Sequence, residues 1–173
     1  HIFFGERGAR APAHLKAITP APLDSTIVIG GGTMGAGIAH ALARAGSVVT
    51  LIERDDDALQ AARHRMSGLY DAAVKRGLMA AGAAADEQDA IRFQAGYDGI
   101  EGAGLVIEAV FEDMQVKRDV LTALDTAAPD AVLASNTSYL DIDLMAGCLA
   151  DASRLVGLHF FSPAHIMKLL EIV

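Results

Sequence analysis

A chain of 173 residues, 52% of them hydrophobic and with a net charge of -8, has enough apolar mass for the core of one ordinary domain. The acidic balance excludes the phosphate backbone of nucleic acid as a main partner, and no apolar run is long enough to span a membrane. The single cysteine, Cys148 within the apolar "LMAGCLA", excludes an internal disulfide framework and predicts a buried, inert thiol in a reducing, cytoplasmic setting.

Residues 1–24 differ in composition from the rest of the chain. "RAPAHLKAITPAPLD" holds Pro12, Pro20 and Pro22 without a sustained period, which predicts an extended interdomain linker. The first ten residues, "HIFFGERGAR", carry charges where a signal peptide would carry its apolar stretch. From Ser25 the pattern becomes regular. "STIVIG" reads as a buried strand, "TMGAGIAHALARAG" as a helix closed by Gly46, and "SVVTLIE" as a second strand ending at Glu53. "DDDALQAARHRMSGLYDAAVKRG" opens with acids and closes with Lys75, Arg76 and Gly77, as a helix does when it complements its own dipole. "AAGAAAD" around Gly82 reads as an alanine-rich turn or helix end, followed by a short strand at "IRFQ". "GLVIEAV" is a strand, "MQVKRDVLTALDTAA" a helix stopped by Pro129, "AVLASN" a strand and "DIDLMAGCLA" a helix. "RLVGLHFF" and "KLLEIV" end the chain as two strands about a Ser162-Pro163 turn. Continuous rather than alternating apolar strands predict an α/β fold over residues 25–173. It is a Rossmann-type, doubly wound and mostly parallel sheet with helices on both faces.

Chemistry enters first at "IVIGGGTMGAG". Gly30-x-Gly32-x-x-Gly35 joins a strand to a helix, and the next strand ends in an acid, Glu53, about 20 residues on. Gly30 permits the tight turn, Gly32 leaves room for a close pyrophosphate, and Gly35 lets the helix pack on the sheet. Thr33 and Met34 complete the cradle at the helix start, whose free N–H groups face the phosphates. Glu53 accepts from the adenosine ribose hydroxyls and repels a 2′-phosphate, so the cofactor read here is NAD. Arg54 beside it weakens that preference. A bare tight turn, or a methyltransferase loop, explains the glycines but not the third-glycine spacing together with the acid.

Further polar groups fall at strand ends, which line the ligand crevice of such a sheet. "EAVFED" brings Glu108 and Glu112, "AVLASNTS" brings Asn136, Thr137 and Ser138, and "RLVGLHF" brings His159. Oxidation of an alcohol by hydride transfer needs a base for the hydroxyl proton, and imidazole serves near neutral pH. A fold-back at Ser162-Pro163 brings the carboxylate of Glu171 opposite His159, where it would orient the ring. The bland alternatives are a core histidine at 159, a solvated Glu171, and Asn136 and Ser138 as caps of the helix near Asp141. His40 and His64 read as structural. His165 near His159 lacks a third ligand, so no metal site is expected.

"VIGGGTMGAGIA", "VIEAVFEDMQVK", "LASNTS" and "GLHFFSPAHIMKLLEIV", in that order, resemble the NAD-binding domain of the L-3-hydroxyacyl-CoA dehydrogenases from about Thr26 to Val173. "FFGER" and its prolines are similar to the linker after the hydratase part of multifunctional fatty-acid oxidation proteins. The resemblance implies NAD-dependent oxidation of 3-hydroxyacyl-CoA to 3-oxoacyl-CoA, with His159 as base, Glu171 as its partner and Ser138 on the reacting oxygen. It places Glu53 on the adenosine ribose, Glu112 and Lys117 along the cofactor site, Asn136 near the nicotinamide ribose, and Lys75 or Arg76 against the CoA phosphates. Ser162 departs from the family's asparagine. The resemblance further implies a C-terminal helical domain beyond Val173, a hydratase domain before the linker, and a homo-oligomer when complete. A 3-hydroxybutyryl-CoA dehydrogenase and a non-catalytic, crystallin-like dinucleotide binder stay open beside it.

Overall fold

The computed structural model describes residues 18, 19 and 25–173. The linker expected over residues 1–24 lies almost entirely outside the described residues. Seven strands form one sheet: β1 (Ser25–Ile29), β2 (Val48–Glu53), β3 (Arg92–Ala95), β4 (Leu105–Glu108), β5 (Val132–Ser135), β6 (Leu155–Phe160) and β7 (Leu170–Ile172). Among the described residues, five α-helices connect them: α1 (Thr33–Arg44), α2 (Asp56–Lys75), α3 (Ala81–Ala90), α4 (Met114–Ala127) and α5 (Ile142–Ala146). The strand order is β3-β2-β1-β4-β5-β6-β7, parallel up to β6, with β7 antiparallel at the edge.

Alternate residues of the same strand serve two cores. Val28, Leu51 and Ile107 pack with Ile38, Met66 and Tyr70 of α1 and α2 on one face. Ile27, Ile29, Ile52 and Val106 pack with Leu121, Leu124 and Met145 of α4 and α5 on the other. This two-sided burial explains the unbroken apolar strands and establishes the doubly wound, Rossmann-like sheet. The chain reverses its direction of winding between β1 and β4, so the loops after these strands open one crevice.

Two local expectations are corrected. "AGAAADEQDA" is a full helix, α3, rather than a turn or a helix end, because an alanine run propagates a helix once α2 packs beside it and Gln88 donates to the Ser67 hydroxyl at 2.8 Å. Conversely "DIDLMAGCLA" is helical only from Ile142 to Ala146, with Gly147 closing it. Cys148 is half-buried rather than buried, its Sγ 3.1 Å from the Met145 carbonyl. Among the described residues no helix is long and apolar enough to cross a membrane.

His40 is 5% exposed, its ring 4.6 Å from that of Tyr70 and 5.6 Å from that of His165. Burial first, then His165 and Arg44, lower its pKa from 6.5 to about 4. Between these values the unfolded chain binds a proton that the folded chain refuses, so stability falls as the pH drops through that window. Urea melts at about pH 7 and about pH 5 are expected to show a smaller acid loss for His40→Gln than for the parent. Equal losses in both would remove His40 as the acid-sensitive group.

Candidate functional site

The crevice at the winding reversal is built from the backbone upward. Gly30 has φ +91°, a conformation open to glycine, and its N–H donates to the Ile52 carbonyl at 2.8 Å. A Cβ on Gly35 would collide with the Gly30 carbonyl oxygen, so a side chain there is incompatible with the turn. A Cβ on Gly32 would meet nothing within 4 Å, because this glycine faces open space. Gly32 caps α1 without any side-chain hydrogen bond, which leaves the first N–H groups of the helix free. Gly30, Gly32, Thr33, Met34 and Glu53 line a single cavity of about 650 Å³. Bare glycine at the approach, unsatisfied helix N–H groups and an acid at the next strand end fit a dinucleotide, with the pyrophosphate at the α1 terminus.

Glu53 does more than wait for a ribose. Its Oε1 accepts the Gly31 N–H at 2.7 Å, so the second strand holds the glycine loop directly. Arg65 of α2, one charge among many in "AARHRMS", donates from Nη1 to the Gly31 carbonyl at 2.6 Å. The sequence alone does not single it out, since its partner lies 34 residues away.

On the other side of the reversal, the ends of β4, β5 and β6 converge. Glu108 and Lys117 are 0% and 1% exposed, and Lys117 Nζ donates to both Glu108 oxygens at 2.9 and 2.8 Å. The same ammonium lies 3.1 Å from Glu112 Oε2. The Ser135 hydroxyl also donates to Glu108. Glu112 Oε1 accepts from the Thr137 hydroxyl at 2.6 Å and from the Ser138 N–H at 2.8 Å. Burial pushes the Glu108 carboxyl up against the pull of Lys117 and Ser135. Partial burial also works against the charge on Glu112, but Thr137, Ser138 and Lys117 together hold its pKa below the ordinary value. Lys117 is therefore a buried strut behind the cavity wall rather than a lining residue. Thr137, read at this strand end in the sequence, holds Glu112, and Ser135, which the sequence alone does not single out, extends the set of positioning groups.

Met34, Glu112, Asn136, Ser138 and His159 line one cavity of about 330 Å³, which Phe160, Phe161 and Ser162 close from the β6 side. Asn136 Oδ1 accepts the Phe160 N–H at 2.9 Å and ties the end of β5 to the end of β6. Neither Asn136 nor Ser138 caps α5; Asp141 does so, accepting from the Leu144 N–H at 3.1 Å. His159 and Glu171 are direct cross-strand neighbours in the β6–β7 register, and His159 Nδ1 lies 2.8 Å from Glu171 Oε2. The turn between them carries a cis Ser162–Pro163 peptide. Met34 also lines the first cavity, so the two are adjacent.

A third cavity, of about 650 Å³, lies between α1, α2 and residues 164–170, with Arg44, Arg76, His165 and Lys168 among its lining. Arg76 reaches it, whereas Lys75 is not among the residues around it. His165 thus belongs with His40 on this far side and forms no pair with His159.

The model of the family described as 3-hydroxyacyl-CoA dehydrogenase, NAD binding domain, matches residues 25–173. The peroxisomal bifunctional enzyme of Danio rerio is 37% identical over 179 residues, covering 100% of this chain and 24% of its own length. The peroxisomal fatty acid beta-oxidation multifunctional protein MFP2 of Arabidopsis thaliana is 35% identical over 176 residues, with the same two shares of 100% and 24%. This chain therefore spans about a quarter of these curated relatives. The crystal structure of M. tuberculosis FadB2 superposes with a TM-score of 0.85 at 36% identity, over 88% of this chain and 54% of that one. The cytoplasmic expectation is corrected by the two curated relatives, both named peroxisomal. A lone cysteine describes a reducing compartment without saying which, and organelle addresses are short receptor-read segments that composition does not reveal. The strand order, the glycine cradle and the match over residues 25–173 agree, and the chain belongs to the 3-hydroxyacyl-CoA dehydrogenase family as its NAD-binding domain.

Proposed function

We propose that the complete protein oxidises L-3-hydroxyacyl-CoA to 3-oxoacyl-CoA in fatty-acid β-oxidation, with His159 as the base. The observation that carries this reading is the 2.8 Å contact of His159 Nδ1 with Glu171, in a ring that also lines the cavity of Ser138, Asn136 and Glu112. A carboxylate on Nδ1 keeps the proton on that nitrogen and leaves Nε2 as an acceptor. The hydroxyl proton of the substrate passes to Nε2, and Glu171 stabilises the imidazolium that results. Ser138, held through its N–H by Glu112, offers its hydroxyl to the reacting oxygen. NAD, when bound, supplies the hydride acceptor. Gly30, Gly32, Thr33, Met34, Gly35 and Glu53 would hold it, with Asn136 at the nicotinamide end.

The basic third cavity supports a CoA thioester as substrate: Arg44, Arg76 and Lys168 suit its phosphates, and Arg76 is favoured over Lys75. Closure over the acyl chain and the homo-oligomer contacts are assigned to the family's helical domain. The test compares the complete enzyme with this chain, following acetoacetyl-CoA reduction by loss of NADH absorbance and NADH binding by fluorescence. The complete enzyme is expected to turn over, and this chain to bind NADH with little turnover. NADH binding without turnover by the complete enzyme would point to a non-catalytic binding protein. Turnover by this chain at the full rate would show that no further domain is needed.

A further inference from the structure

The adenosine end of the cofactor cavity carries more positive charge than the fingerprint requires. Three charged residues line it: Glu53, Arg54 and Arg65. Arg54, the cation visible in the sequence beside Glu53, is already engaged, its Nε 2.9 Å from Asp55 Oδ2 and its side chain 85% exposed. Arg65 is not neutralised in this way. Its one described partner is a backbone oxygen, the Gly31 carbonyl at 2.6 Å, and among the described residues no carboxylate lies within ion-pair distance of it.

Its place is set by packing. A Cβ on Gly31 would collide with that of Ala62, so α2 presses on the glycine loop. Arg65 stands three residues further along that helix, on the same face. Gly31 is thus gripped at both ends, its N–H by the Glu53 carboxylate at 2.7 Å and its carbonyl by the Arg65 guanidinium. Opposite charges meet across one residue, at the point where a nucleotide's adenosine ribose is read.

We propose that Arg65 is a second determinant of nucleotide choice: a guanidinium already in place for a 2′-phosphate, opposed only by the charge of Glu53. A guanidinium has five N–H donors and binds phosphate in a fork, so the one spent on Gly31 leaves the others for a ligand. The Glu53 carboxylate supplies both attraction for two ribose hydroxyls and repulsion of a phosphate. Removing its charge while keeping its acceptor oxygen converts the pair from a barrier into a binding site. The inference concerns the cofactor half of the crevice alone and stands whether or not His159 is the base.

Glu53→Gln keeps an oxygen for the Gly31 N–H, so it changes charge without releasing the loop. Fluorescence titrations of this chain with NADPH and NADH, for the parent, Glu53→Gln, Glu53→Gln with Arg65→Met, and Glu53→Gln with Arg65→Lys, provide the test. Glu53→Gln is expected to bind NADPH at least about tenfold more tightly than the parent. Adding Arg65→Met is expected to abolish that gain, and Arg65→Lys to keep part of it, while NADH affinity changes alike in the two double variants. Thermal melts alongside identify any variant that has lost its fold, which is replaced by Arg65→Gln. No NADPH gain in Glu53→Gln, or a gain that survives Arg65→Met, would overturn the proposal.

Discussion

Replacing His159 by alanine in the complete enzyme is expected to lower kcat by roughly 10²–10⁴-fold, the range that a positioned general base supplies. The dissociation constant for NADH should stay within about twofold, since ΔG of binding then moves by less than about 0.5 kcal/mol. The physical ground for this split is spatial. His159 lines the cavity of Ser138 and Asn136, whereas the cavity of Gly32 and Glu53 has walls from β1, β2, α1 and α2 and does not include it. Glu171→Gln should also lower kcat, by less than His159→Ala does, because an amide no longer stabilises the imidazolium and can hold the ring in the wrong tautomer. Glu171 is 55% exposed in its side chain, so water screens part of its charge, which keeps this second effect below the first. If His159→Ala weakened NADH binding in step with kcat, the histidine would be structural and the base would lie elsewhere.

Lys117→Met is expected to destabilise the domain by about 3–5 kcal/mol, the cost of leaving a buried partner charge uncompensated. The lysine is 1% exposed and is shared by Glu108, itself 0% exposed, and Glu112. Without the ammonium, the buried Glu108 carboxylate is left unpaired beside the partly exposed Glu112. Glu108 then takes up a proton, and Glu112 loses part of its hold on Thr137 and Ser138. A drop in melting temperature of the order of 6–20 °C is expected for a domain of this size. Lys117→Met combined with Glu108→Gln should recover part of the loss, since one of the unpaired charges goes with it. A single variant as stable as the parent would show that the triad is solvated in solution.

The glycine cradle was legible in the sequence because its parts are near one another and each has a local cause. A strand, three glycines at set offsets, a helix and an acid about 20 residues on are read without knowing what packs where. Apolar strands alternating with helices likewise dictated two covered faces, and Val28 and Ile29, adjacent in β1, do point into opposite cores. His159 and Glu171 were legible as a facing pair, because a Ser-Pro turn between two short strands leaves few registers.

Other features depended on elements distant in the chain. Lys117 sits near the start of α4 in a stretch, "MQVKRDV", that reads only as helix, and the family resemblance placed it along the cofactor site. Only the seating of α4 against β4 makes it a buried strut, because a side chain's solvent access is a property of what packs over it. Arg65 has the same character, since its partner is the glycine loop 34 residues earlier. The alanine run of α3 was ambiguous by composition and was decided by contact with α2. Local period and spacing made the fold class and the cofactor cradle readable in the chain, whereas the role of His159 as base is what the family resemblance implies. Tertiary structure alone decided which charges are buried, which are paired and which remain free to meet a ligand, because a charge takes its energy from its surroundings rather than from its neighbours in the chain.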